Sequence, residues 1–121
     1  MGVQKYDDLI VWQKAMDLVV EIYSIVKLLP DEERYALADQ MKRAAVSIPS
    51  NIAEGQERST TKDFVNFLHI AKGSRSELET QLIICIRLNY LKPEQVEITQ
   101  SLLTEIGKML HSLIQKLATN H

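Results

Sequence analysis

One cysteine, four glycines and three prolines are all that this 121-residue chain holds of the residues that cross-link, loosen or break a backbone. A single thiol, Cys85, excludes a disulfide within the chain and a multi-thiolate metal site. So few Gly and Pro residues leave long helices with few breakers. No apolar run approaches the ~18 residues that a membrane helix requires. The first eight residues lack the basic-then-apolar layout of a secretion signal. The expectation is a cytoplasmic protein with no membrane contact. Strong net charge is also absent: the chain carries -2 at a pI near 5.9, whereas nucleic-acid-binding domains are usually strongly basic.

The chemistry-bearing motifs are missing as well. A di-iron site in a helical bundle needs inward Glu plus Glu-x-x-His pairs. Here Asn66 precedes His69 by three positions, and Lys108 precedes His111. The third histidine, His121, adds no ligand-like spacing. There is no phosphate-binding Gly loop, Gly-x-Ser-x-Gly or His-Glu-x-x-His. Glu77 and Glu79 point about 200° apart on a helix and cannot share a substrate. No cofactor and no enzymatic activity are expected.

What the chain does have is helical periodicity. Hydrophobic residues make up 45% and charged residues 25%, an ordinary globular balance. Over residues 8–29, Leu9, Trp12, Met16, Val19, Tyr23 and Val26 recur at steps of three and four. A second stripe does the same: Val11, Ala15, Leu18, Ile22, Ile25 and Leu29. Two stripes about 100° apart exceed the single face that a bundle buries. The excess predicts packing against another subunit. Trp12, on the first stripe, reads as a core or interface anchor, the other reading being a platform for base stacking.

Pro30 ends this helix, and the acidic run Asp31-Glu32-Glu33 suits the positive start of a second one over 32–56. Leu37, Met41, Ala45, Ile48 and Ile52 mark its core face. Pro49 inside that pattern predicts a kink, not a stop. Thr60 to Asp63 fits a cap opening a third helix over 61–91, with Phe64, Phe67, Ala71, Leu78, Leu82 and Cys85 inward. Cys85 reads as a small buried hydrophobe. Pro93 starts a fourth helix over 93–118. Short connections force antiparallel neighbours. The predicted fold is all-α, an antiparallel up-down-up-down four-helix bundle, with residues 1–121 forming a single domain.

Two polar constellations stand out. On the second helix, Arg43, Ser47, Asn51 and Glu54 share a face flanking the core. With Ser74 and Glu77 on the third helix they predict a polar network that fixes helix pairing, including an Arg43–Glu77 ion pair; the other reading is a ligand pocket. On the third helix, Lys62, His69, Lys72, Ser76 and Arg87 project away from the core, with Glu79 nearby. These read either as a solvated face or as a contact surface for phosphate backbones. Charge is uneven along the chain: residues 1–41 sum to -4, residues 42–75 to +3 and residues 76–121 to -1. Repeated in a ring, the basic face would act cooperatively despite the acidic total.

Three segments carry a family resemblance. They are Val11-Trp12-Gln13-Lys14-Ala15, the run Arg43-Ala44-Ala45-Val46-Ser47-Ile48-Pro49-Ser50-Asn51-Ile52-Ala53-Glu54-Gly55, and Phe67 to Glu79. Together they resemble the four-helix-bundle family encoded in intervening sequences of bacterial 23S rRNA genes, sometimes labelled a ribosomal protein family. The resemblance runs from about Tyr6 to Leu91. It implies a bacterial origin, a compact bundle and a homopentameric ring. That family is also similar to the accessory protein of diversity-generating retroelements, a pentameric bundle that binds nucleic acid and partners a reverse transcriptase; that relative is markedly basic. The resulting expectation is a non-enzymatic homo-oligomer, a pentamer, that binds RNA or single-stranded nucleic acid. The alternative is a scaffold that recruits a protein partner without nucleic acid. The small residues Ala44, Ala45, Ala71, Gly73 and Ser74 are expected to let the second and third helices approach closely, so Gly73→Leu is expected to destabilise the bundle.

Overall fold

The computed structural model describes residues 9–119. Four α-helices account for most of them: α1 (Ile10–Ile25), α2 (Leu37–Gln56), α3 (Thr61–Arg87) and α4 (Glu97–Thr119). No described residue lies in a β-strand. Each helix packs on its neighbour in sequence, and α1 closes the bundle against α4. The contacts between α2 and α3 run in opposite directions along the two helices. Met41 meets Cys85 while Ser47 meets Ser74, and Arg75 reaches Leu103 and Gly107. The bundle is therefore antiparallel throughout, as the short connections require.

One core forms along the shared axis. α1 supplies Ala15, Leu18 and Ile22, and α2 supplies Met41, Ala45, Ile48 and Ile52. α3 adds Leu68, Ala71, Leu78 and Leu82, and α4 adds Leu103, Ile106 and Leu110, all without solvent exposure. These side chains recur at three- and four-residue steps, so each helix buries one stripe. Burial of such a stripe, at about 25 cal/mol per Å² of apolar surface, is what offsets the entropy of ordering the helices.

Four helix ends differ from the periodicity, one of them the start of α4, which begins at Glu97 after a 3-10 turn over Pro93–Gln95 and not at position 93. α1 stops at Ile25 and tightens into a 3-10 turn over Val26–Leu28 before Pro30. The acidic run Asp31–Glu33 is itself a 3-10 turn, and α2 begins only at Leu37. Ala36, at φ -121° and ψ -101°, cannot continue a helix. Glu33 still serves the helix start, because its Oε1 accepts from the Leu37 N–H at 3.4 Å. α3 stops at Arg87, short of Leu91, because Asn89 takes the left-handed conformation at φ 61°. The Tyr90 N–H then donates to the Cys85 carbonyl at 2.9 Å, a helix-closing bond of the kind that Asn at this position permits. Thr60 caps the start of α3, its Oγ1 accepting from the Asp63 N–H at 3.1 Å. Pro49 lies inside α2, which continues through it.

Close approach of α2 and α3 occurs at Gly55, not at Gly73. A Cβ on Gly55 would lie 2.7 Å from Phe67 Cβ, whereas one on Gly73 would meet nothing within 4 Å. Gly73 faces solvent, so the expectation that Gly73→Leu destabilises the bundle by blocking close approach is corrected.

Candidate nucleic-acid interface

The polar seam between α2 and α3 rests on small side chains. Ser47 and Ser74 are joined by a 2.8 Å hydroxyl–hydroxyl hydrogen bond across the helices. Asn51 Nδ2 donates to the Ser47 carbonyl at 2.7 Å and to Ser47 Oγ at 2.9 Å. These three residues therefore form one partly buried network. Arg43, Glu54 and Glu77 do not join it. Arg43 bonds Asp39 on its own helix at 3.0 Å with its side chain 79% exposed. Glu54 pairs with Arg58 at 2.8 Å, and Glu77 accepts from Gln81 Nε2 at 3.3 Å. The expected Arg43–Glu77 ion pair is thus corrected. Its physical reason is register. Gly55 against Phe64 and Phe67 sets how far α3 slides along α2, and that places Ser47, not Arg43, opposite Ser74.

The outer face of α3 carries Lys62, His69, Ser76 and Arg87, all exposed. At 100° per residue these four lie within a narrow arc. Neither Lys62 nor Arg87 has an ion pair with a described residue. Lys72 departs from this face. It is half-buried and lines a cleft between α3 and α4 together with Arg75, Lys108 and His111. The sequence reading missed Arg75, Lys108 and His111 as neighbours of Lys72. The signal available was the matching three-residue spacing of Lys72/Arg75 and Lys108/His111, but pairing them requires the α3–α4 register.

Arg75 is held at the interface between α3 and α4. Its side chain is 16% exposed. Nη1 donates to the Leu103 carbonyl at 3.2 Å and to Glu79 Oε2 at 3.4 Å. Its buried Nε finds no acceptor, an arrangement that costs about 1–3 kcal/mol when left unsatisfied.

Among the described residues two groups have shifted ionisation, and both shifts favour the protonated form. Burial, reinforced by the charge of Glu33, pushes the Cys85 thiol up to about 11. Its Sγ lies 3.7 Å from Met41 Sδ inside the core. Tyr90 is also raised, first because its hydroxyl donates to Glu33 Oε2 at 2.9 Å. A nucleophile needs the opposite shift. Among the described residues no group of three His, Cys, Asp or Glu side chains is placed to hold a metal ion.

The bundle leaves apolar surface uncovered. On α1, Ile10 is 60%, Met16 41%, Val20 70% and Tyr23 45% exposed. Leu9, Trp12 and Val19, from the same stripe, are only partly buried against the core. Val26, the last member of that stripe, is buried. Val20 and Ile10 extend the exposed face beyond the residues that periodicity assigned to it. No helix among the described residues is long and apolar enough to cross a membrane.

This architecture has known counterparts. A family model described as the 23S rRNA-intervening sequence protein matches residues 7–112. A crystal structure from Bacteroides thetaiotaomicron, described as a protein of unknown function from the S23 ribosomal protein family, is 34% identical with a TM-score of 0.80. That similarity covers 87% of this chain and 98% of the other. No curated protein matches significantly. A match over nearly the whole bundle, in sequence and in structure, means that this chain belongs to the 23S rRNA-intervening sequence protein family.

Proposed function

We propose that the protein is a non-enzymatic helical scaffold of the cytoplasm that assembles from several copies and binds RNA or single-stranded nucleic acid along the outer face of α3. The observation that carries this reading is the exposed arc of Lys62, His69, Ser76 and Arg87, whose two cations have no acidic partner among the described residues. Long cationic side chains held at a surface without counter-charges suit phosphate backbones, whose condensed counterions they release. The acidic total does not oppose this. Most of the excess acid lies in residues 1–41, while residues 42–75 sum to +3.

Assembly is supported by the exposed face of α1, where Met16, Val20 and Tyr23 share one side of the helix. An exposed apolar stripe of this kind favours a second protein surface over water. A ring of five, which the family resemblance implies, would repeat the basic arc five times and add its fields. A non-catalytic role is supported by Cys85 and Tyr90, whose shifts suppress the reactive form.

Fluorescence anisotropy of labelled RNA and DNA, repeated over a salt series with solution mass recorded on the same sample, tests the proposal. The expected result is binding by an oligomer that falls steeply with salt and is lost in K62A/R87A without a change in mass. Absence of binding at low salt would refute the nucleic-acid role, and a monomer would refute assembly. A second reading, recruitment of a protein partner, is favoured by the exposed Ile70 and Ile84 on α3 and Leu88 just beyond its end. In that case K62A/R87A leaves the partner bound.

A further inference from the structure

We propose that the cleft between α3 and α4 at Lys72, Arg75, Lys108 and His111 is a binding site for a phosphate-class oxyanion, either a free diphosphate or a backbone phosphate of nucleic acid. The antiparallel register places Lys72 and Arg75 opposite His111 and Lys108 along a cleft of about 620 Å³. The cleft is largely open to solvent, so a phosphate reaches these side chains from outside. Three cations line it against one carboxylate, Glu79, which stands toward the far end, one turn beyond Arg75. Ser112 adds a hydroxyl donor.

Arg75 marks this cleft as more than a gathering of surface charge. The Leu103 carbonyl pins its guanidinium across the helix interface at 3.2 Å. Its contact with Glu79 is long, at 3.4 Å, and its Nε is buried without an acceptor. A planar fork held in place at the wall of the cleft is suited to an oxyanion. Gly107 makes that placement possible. A Cβ there would lie 3.0 Å from Arg75 Nε and 3.2 Å from its Cδ and Cζ. The glycine therefore opens the space that the guanidinium occupies. A purely structural strut would need Arg75 and Gly107 but neither Lys108 nor His111, both of which are exposed.

The experiment uses the full chain at low salt. Inorganic pyrophosphate is titrated by calorimetry, and labelled RNA by anisotropy, against wild type, K108A/H111A and G107A. The exposed positions of Lys108 and His111 let the first variant fold, which its melting temperature verifies. Loss of two charge-assisted contacts is expected to weaken pyrophosphate binding at least ~10-fold in K108A/H111A. G107A keeps every charge but displaces the guanidinium, and is expected to weaken binding as well. Weakened pyrophosphate binding with unchanged RNA affinity assigns the cleft to a free diphosphate. Weakened RNA affinity in the same variant assigns it to a backbone phosphate. Folded K108A/H111A that binds both probes like wild type, or wild type that binds neither, would overturn the site. The α3 arc fails separately, through K62A/R87A, because neither Lys62 nor Arg87 lines the cleft.

Discussion

Replacing Gly55 by alanine would put a new Cβ 2.7 Å from Phe67 Cβ, 2.9 Å from Phe64 Cδ1 and 3.3 Å from the Phe64 carbonyl oxygen. The nearest of these atoms is attached directly to the α3 backbone, so a rotamer change of Phe67 cannot relieve it. α2 and α3 must move apart locally at this crossing. Overpacking of this kind costs about 1–3 kcal/mol. Alanine regains up to about 1 kcal/mol of helix propensity, less in the last turn of α2. The net expectation is destabilisation by about 1–2 kcal/mol, with the steric term winning. Gly73→Ala is the matched control. It adds the same methyl group in the middle of α3, where nothing lies within 4 Å. Only the propensity term remains there, so stabilisation by about 0.5–1 kcal/mol is expected. Thermal melts at one fixed protomer concentration read the difference, since assembly makes the midpoint concentration-dependent. For a chain of this size each kcal/mol corresponds to roughly 3–5 °C. G55A melting at or above wild type, or below G73A by less than about 2 °C, would refute the close approach at Gly55.

The Ser47–Ser74 bond should appear as a coupling. In a double-mutant cycle, S47A and S74A should each destabilise, and the pair should lose less than the sum by about 0.5–1.5 kcal/mol; strict additivity would show that the two hydroxyls act independently. The Cys85 thiol gives a pH prediction. Its folded value lies near 11, against 9.0 for an unburied thiol, so the folded state holds the proton longer than the unfolded one. Stability is then fully present below about pH 9 and declines between 9 and 11, by at most about 3 kcal/mol. Urea melts across that window should show the decline in wild type and a shallower one in C85A. Equal slopes would mean that Cys85 does not ionise on unfolding in this range.

Much of the fold was legible in the chain itself. The three- and four-residue recurrence of apolar side chains marks every core face, because a helix can bury only residues that share one side of its cylinder. Scarce Gly and Pro, Thr60 as a cap and Pro30 as a break are local signals, and local chemistry reads them. Helix ends were less legible. Asn89 in a left-handed conformation and the 3-10 turn at Asp31–Glu33 close or delay helices that periodicity alone would extend. The exposed arc of Lys62, His69, Ser76 and Arg87 was also readable, since all four residues lie on one helix.

Tertiary structure decided whatever depends on the axial register between helices, which no periodicity encodes. Sliding α3 by one turn along α2 would keep both apolar stripes in contact but would lose the close fit of Gly55 against Phe64 and Phe67. That setting gives Ser74 to Ser47 and leaves Arg43 with Asp39. Lys72 stands about 60° off the outer arc by its own position on α3, and the register of α3 against α4 sets it beside Arg75, Lys108 and His111. Sequence determines which face of a helix a side chain occupies; packing determines which residue of the next helix it meets.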